Sequence, residues 1–147
     1  MENTEYFFGY KLHMISDADG EMPLAIGIAA ANKHDKKMFA KLFRYVKDNY
    51  RLGPNTKYLA DSAMDSADVR QCLRYNGLIP VIATNGRGHA ESETPDDPDY
   101  GKRWSIERIF SRLKEMFNMR KNRFIGMKKV KMHIYSCILA YLIEYLL

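Results

Sequence analysis

Residues 57–83 read Lys-Tyr-Leu-Ala-Asp-Ser-Ala-Met-Asp-Ser-Ala-Asp-Val-Arg-Gln-Cys-Leu-Arg-Tyr-Asn-Gly-Leu-Ile-Pro-Val-Ile-Ala, and the fold class turns on this stretch. Lys57 to Ala60 is a short apolar run closing at Asp61, a helix is predicted from about Ser66 to Tyr75, and Asn76-Gly77 stops it with residue types that suit a helix C-terminus. Leu78 to Ala83 is then a second buried strand. A strand, a helix and a strand in such close succession call for helices laid on a sheet.

Upstream, residues 5–16 are rich in aromatic and β-favouring types and run through Asp17-Ala18-Asp19-Gly20 into a second apolar run, Pro23 to Ala31. This predicts a β-hairpin with a polar turn. Asn32 to Asp35 breaks the strand. Asp35 is placed to cap a helix with Phe39, Leu42, Phe43 and Val46 at helical spacing, ending near Leu52-Gly53-Pro54. Downstream, residues 85–99 carry the densest breaker signals in the chain and predict an exposed loop. Arg103 to about Met119 and Lys128 to Leu147 read as helices. The last is strongly apolar, yet its uninterrupted apolar stretch falls short of the roughly 20 residues a bilayer span needs, so it reads as a core helix and no membrane partner is expected. The whole is an α/β fold, one domain over 1–147, with helices covering a mixed sheet.

Composition agrees with a packed domain. The 147 residues are 46% apolar and 12% aromatic, too much for an intrinsically disordered or linker sequence. Cys72 and Cys137 lie far apart without metal-like spacing and read as free thiols. No basic region followed by an apolar run opens the chain, so a cytoplasmic protein is expected. The formal net charge of +5 is uneven: residues before Tyr100 carry 12 basic and 15 acidic side chains, and those after it 11 and 3. A basic last third suits a phosphate-binding face, because neutralised phosphates release counterions and give sequence-independent affinity. From charge alone a solvated basic helix pair is an equal reading.

The segment after the loop reads Tyr100-Gly-Lys-Arg103-Trp-Ser-Ile-Glu107-Arg-Ile-Phe-Ser-Arg-Leu-Lys114. At about 100° per helical residue, Arg103, Glu107 and Lys114 share one face, while Ile106, Phe110, Leu113 and Phe117 gather on an adjacent face that would anchor the helix to the sheet. Arg103 and Glu107 alone would be an ordinary surface ion pair. The full spacing Tyr, two residues, Arg, three, Glu, six, Lys resembles the signature of bacterial insertion-sequence transposases of the DDE class. Phe8-Gly-Tyr-Lys-Leu-His13, Asn32-Lys-His-Asp35 and Tyr58-Leu-Ala-Asp61-Ser-Ala-Met-Asp-Ser66 are similar to further blocks of those enzymes.

The resemblance implies a ribonuclease H-like fold and a polynucleotidyl transferase that cleaves and joins DNA at insertion-sequence ends. It implies that Asp61 and Glu107 are catalytic and bind Mg²⁺ or Mn²⁺, and that Tyr100, Arg103 and Lys114 hold DNA phosphates. Asp61 also stands where a strand's carboxyl end meets a helix, a usual crevice for sites in α/β sheets. Two hard carboxylates with divalent metal can stabilise both oxygens of an in-line displacement at phosphorus. The family uses a third acidic ligand on a strand preceding the hairpin, which is absent here. Asp17 and Asp19 fall in the hairpin turn. The expectation is therefore a sheet lacking its first central strand, an incomplete metal site, and an open edge that invites pairing with an upstream transposase fragment or another copy of the chain.

Arg120, Lys121 and Arg123, with Lys128, Lys129, Lys131 and Phe124, crowd the link between the last two helices, where they bind backbone phosphates or form a solvated turn. Trp104 reads as a packing anchor in preference to a base-stacking platform. His13 and His34 lack a companion cluster, and Gly86-Arg87-Gly88 lacks the Lys-Ser/Thr ending of a phosphate loop. The rival functions are a non-enzymatic DNA-binding remnant and a nuclease of the same fold.

Overall fold

A computed structural model describes residues 9–31, 35–86 and 93–147, with the backbone only for Asp35 and Lys36. Phe8, the Asn32 to His34 break, the capping side chain of Asp35 and the Arg87-Gly88 pair lie outside the described residues.

The hairpin forms as its sequence predicts. Strand β1, Tyr10–Asp17, pairs antiparallel with β2, Met22–Ala30. Its turn is closed by Asp17, whose carboxylate accepts from the backbone N–H of Asp19 at 3.3 Å and of Gly20 at 3.0 Å, the local bonding that makes aspartate a turn residue. The register slips between Ile15 and Ser16, so that Ile15 faces Ala25 and Ser16 faces Pro23. Leu24 is the extra residue of a β-bulge, and a bulge is one of the few places a strand tolerates proline.

Period-two alternation makes the hairpin a middle layer. Leu12, Met14, Ile26 and Ile28 join the core of Ile109, Leu113, Val130, Ile134, Ile138 and Tyr141. On the other face, Ile15 and Ala25 pack with Leu42 and Val46 of helix α1, Asp35–Asn49. Gly27 sits at that contact, and a Cβ there would stand 2.3 Å from Met38 Cε and 3.2 Å from Leu42 Cδ2.

Strand β3, Lys57–Ala60, helix α2, Ala67–Tyr75, and strand β4, Ile79–Ile82, form a parallel crossover unit with Lys57 facing Ile79 and Ala60 facing Ile82. Ser66 caps α2 by accepting from Val69 N–H, and Gly77 takes the left-handed conformation (φ +76°) that ends it. Phe39 and Phe43 of α1 stack at 5.4 Å and join Ala60, Val69, Leu73, Leu78 and Ile82 in a second core. Helix α1 thus serves both halves of the molecule.

The α/β architecture with flanking helices is as expected, and its strands form two two-stranded sheets, β1-β2 and β3-β4, which fits a mixed sheet without its first central strand. Strand pairing is set by long-range contacts that no local pattern encodes. Among the described residues no strand stands between β1 and β3.

Helix α3, Trp104–Glu115, is entered through a 3₁₀ turn, Tyr100–Arg103, so Arg103 precedes the α-helix. The buried positions of α3 are Ser105, Ile109 and Leu113. Ile106, Phe110 and Phe117, expected on the anchoring face with Leu113, are only partly buried. Helix α4, Met127–Leu146, packs through Val130, Ile134, Cys137, Ile138 and Tyr141, leaving Met132, Tyr135, Leu139 and Ile143 exposed. No described helix is long and apolar enough to cross a membrane. Tyr141 Oη donates to the Glu21 carbonyl at 2.7 Å, and Arg108 pairs with the Glu21 carboxylate, tying both last helices to the hairpin tip.

Candidate nucleic-acid interface and carboxylate site

Asp61 leaves the carboxyl end of β3 and caps the 3₁₀ helix Ser62–Met64, its Oδ1 accepting from Ala63 N–H at 3.1 Å. The residue is exposed, and among the described residues Oδ2 has no hydrogen-bond partner. Cap and ligand are therefore compatible roles for one carboxylate, because each uses a different oxygen. Burial, helped by the Asp61 charge, pushes the Tyr58 hydroxyl well above the usual phenol range, so this neighbour stays neutral.

Glu107 lies on the exposed side of α3, where its Oε1 meets Arg103 Nη1 at 3.4 Å. The Arg103 guanidinium is the centre of a stacked group, 4.7 Å from the Trp104 ring centroid and 5.5 Å from that of Tyr100. Its Nε is buried without a hydrogen-bond partner. Trp104 is not the packing anchor its sequence context suggests. It is 52% exposed, because Ile109 and Leu113 define the inward face and leave position 104 pointing away from it. Lys114 is exposed further along α3, its Nζ 5.9 Å from the Phe110 centroid. Tyr100, Arg103, Trp104 and Glu107 are brought into one group.

Beyond Glu115 the helix stops. Asn118 (φ +55°) and Gly126 (φ +93°) both adopt left-handed backbone and bracket a connection that exposes Arg120, Lys121, Arg123 and Phe124. The α3 stripe consequently ends at Lys114 and does not reach Lys121 along the helix.

One element escaped the sequence reading. Lys57 Nζ on β3 binds Asp99 at 2.6 Å and Asp97 at 2.9 Å, and Lys102 Nζ binds Asp19 at 2.9 Å and Asp99 at 3.0 Å. This chain of alternating charge docks the 3₁₀ turn carrying Tyr100 and Arg103 onto β3, the strand that ends at Asp61, and onto the hairpin turn. Hydrogen bonding to Lys57 holds the carboxyls of Asp97 and Asp99 below the ordinary range, and the two lysines are raised in turn. In the sequence Asp97 and Asp99 were visible only as loop residues. Their partner Lys57 is 40 and 42 positions away.

The Transposase DDE domain family model matches residues 1–143, nearly the whole chain. The chain belongs to the DDE transposase family. Comparison with curated proteins and with solved structures found no match. A DDE transposase acts on DNA, and its family uses divalent metal ions. Among the described residues no three His, Cys, Asp or Glu side chains form a metal-holding group. The donor chemistry of Asp61 and Glu107 nevertheless suits a hard divalent cation, since both are exposed carboxylates with an oxygen to offer.

Proposed function

We propose that this chain is the catalytic portion of a bacterial insertion-sequence transposase carrying the Tyr-Arg-Glu-Lys signature at Tyr100, Arg103, Glu107 and Lys114, with metal-dependent DNA strand cleavage and strand transfer as its chemistry. The observation that carries the reading is the family match over residues 1–143. The stacked Tyr100, Arg103 and Trp104 group beside Glu107 supports it, because guanidinium and aromatic faces are what a DNA strand meets in such proteins.

In this reading Asp61 and Glu107 hold Mg²⁺ or Mn²⁺, and a third carboxylate comes from outside these residues, on an upstream transposase fragment or another copy of the chain. The bound metal supplies Lewis acidity at the scissile phosphate and lowers the pKa of a bound water or hydroxyl. The chain's own part is positional. Arg103 and Lys114 offset phosphate charge, Tyr100 flanks the strand, and Arg120, Lys121 and Arg123 contact the duplex backbone further along.

The test is a metal-titrated assay on a donor DNA end with a free 3′-hydroxyl. Joined product in Mg²⁺ or Mn²⁺, lost in Asp61→Asn and Glu107→Gln, supports a transferase. Hydrolysed product without joining assigns a nuclease of the same fold, and salt-sensitive binding with no metal-dependent product assigns a DNA-binding remnant.

A further inference from the structure

Between Glu115 and Glu144 the chain carries six Lys or Arg side chains and no Asp or Glu. The connection from α3 to α4 lies in this stretch, and its tip is apolar: Phe124 is 51% and Ile125 91% exposed. Single exposed apolar residues are ordinary on a folded protein. This pair is different, because a shaped turn presents it. Asn122 Oδ1 accepts from Phe124 N–H at 3.0 Å, the Asn118 carbonyl accepts from Lys121 N–H at 3.0 Å, and the Phe124 ring lies against His133 with centroids 5.7 Å apart. Gly126, left-handed at φ +93°, then turns the chain into α4 and leaves Ile125 outside. Among the described residues none of the hydrophobic clusters includes Phe124 or Ile125.

We infer that Ile125, backed by Phe124, is a wedge that enters duplex DNA between two adjacent base pairs, while Arg120, Lys121, Arg123, Lys128, Lys129 and Lys131 meet the phosphates on either side. The partner follows from charge: a stretch with six cations and no acid to offset them fits a polyanion. The mode of contact follows from shape. An apolar side chain pushed into a base step partly unstacks it and bends the duplex, and Ile125 projects from its turn with the cations around it. Steps unstack most readily where a pyrimidine precedes a purine, so the wedge selects deformable steps over A-tracts without reading a base edge. Local bonds already shape the turn, so little conformational freedom is lost on insertion.

Other occupants fit less well. A second copy meeting the tip through the same surface would set six cations against six, and like charges across a contact disfavour it. An anionic lipid surface would satisfy the cations, but the family acts on DNA, which makes the duplex the partner. The inference rests on the proposed contact of Arg120, Lys121 and Arg123 with duplex DNA and adds what the apolar tip does there. It is independent of metal and of strand cleavage.

The experiment is fluorescence on the intact chain in EDTA, with two duplexes of equal length labelled at both ends for energy transfer. One carries 2-aminopurine at a central TA step and the other carries it inside an A-tract. We expect the wild type to brighten 2-aminopurine and shorten the end-to-end distance at the TA step, and to bind that duplex about tenfold more tightly than the A-tract. Ile125→Ser should lose the brightening, the bend and the preference, yet keep its thermal midpoint and hold A-tract affinity within about twofold, since phosphate contacts carry it. Ile125→Leu should retain all three signals. Duplex binding without brightening, or brightening unchanged in Ile125→Ser, overturns the wedge and leaves the phosphate contacts of the connection standing. No duplex binding at low salt overturns both. Wild-type binding to phosphatidylserine vesicles that Ile125→Ser abolishes, with duplex fluorescence unmoved, assigns the tip to a lipid surface and overturns the wedge. A dimer in sedimentation that Ile125→Ser dissociates, again with fluorescence unmoved, assigns it to a second copy and does the same. No metal is present and no product is scored, so strand transfer can fail while the wedge stands.

Discussion

Lys57 Nζ lies 2.6 Å from Asp99 Oδ2, and this contact fixes the 3₁₀ turn of Tyr100 and Arg103 to the strand that ends at Asp61. Both groups are partly exposed, so the contact matters more for position than for stability. Its pH dependence follows from the shifts. Asp97 and Asp99 are lowered in the folded chain. Their contribution is complete above the unfolded carboxylate pKa of about 3.9 and is lost as pH falls through the lower folded value. Lys57 and Lys102 are raised, so theirs is complete below the unfolded pKa of about 10.4 and is lost as pH rises through the folded value. Asp99→Asn should speed exchange at residues 100–103 at neutral pH and flatten the acid limb of a stability profile.

Trp104 and Ile109 should separate binding from folding. Trp104→Ala should change stability by only about 0.5 kcal/mol while weakening single-stranded DNA binding by about 1–3 kcal/mol. Ile109→Ala removes a side chain that is 0% exposed and should cost about 2–5 kcal/mol in urea unfolding. Equal stability losses for the two would refute the assigned orientation of α3.

The basic connection should act through salt. Replacing Arg120, Lys121 and Arg123 with glutamine should lower duplex affinity for all sequences alike. If each contacts one phosphate, the log–log salt slope falls by about 0.9 per residue. An unchanged slope would mean that the connection is simply solvated.

Gly27 should be intolerant of bulk. A valine there must displace Leu42 as well as the flexible end of Met38, and overpacking of this kind costs about 1–3 kcal/mol. Thermal melts of Gly27→Ala and Gly27→Val should show a graded loss.

What the sequence made legible was local. The hairpin, the β3-α2-β4 unit and the stop at Gly77 rest on turn chemistry and short apolar runs within a few residues of one another. Pairing between those units depends on contacts across dozens of residues, which no local pattern encodes. Apolar character favoured Ile106 and Phe110 as partners of Leu113 on the inward face of α3, whereas the fold buries Ser105 and Ile109 with it. Both sets lie at helical spacing from Leu113, and which one turns inward is decided by the packing against the hairpin and α4. Helix α4 is apolar around most of its circumference, so its pattern identified a core helix without showing which side faces inward. For the site, the motif spacing named Arg103 and Glu107; the fold shows the i,i+4 ion pair that their spacing alone would give. The Lys57 and Lys102 charge chain had no local signature at all.

The bond from Tyr141 to the Glu21 carbonyl spans 120 residues. A ribosome adding about 5–20 residues per second takes roughly 6–24 s to traverse that interval. Until α3 and then α4 have been made, the greasy side of the nascent hairpin, with Met14, Ile26 and Ile28, lacks the helices that cover it. Cellular yield of this polypeptide should therefore depend on chaperone cover during translation, and codon choice between the hairpin and α4 should tune how much of it survives.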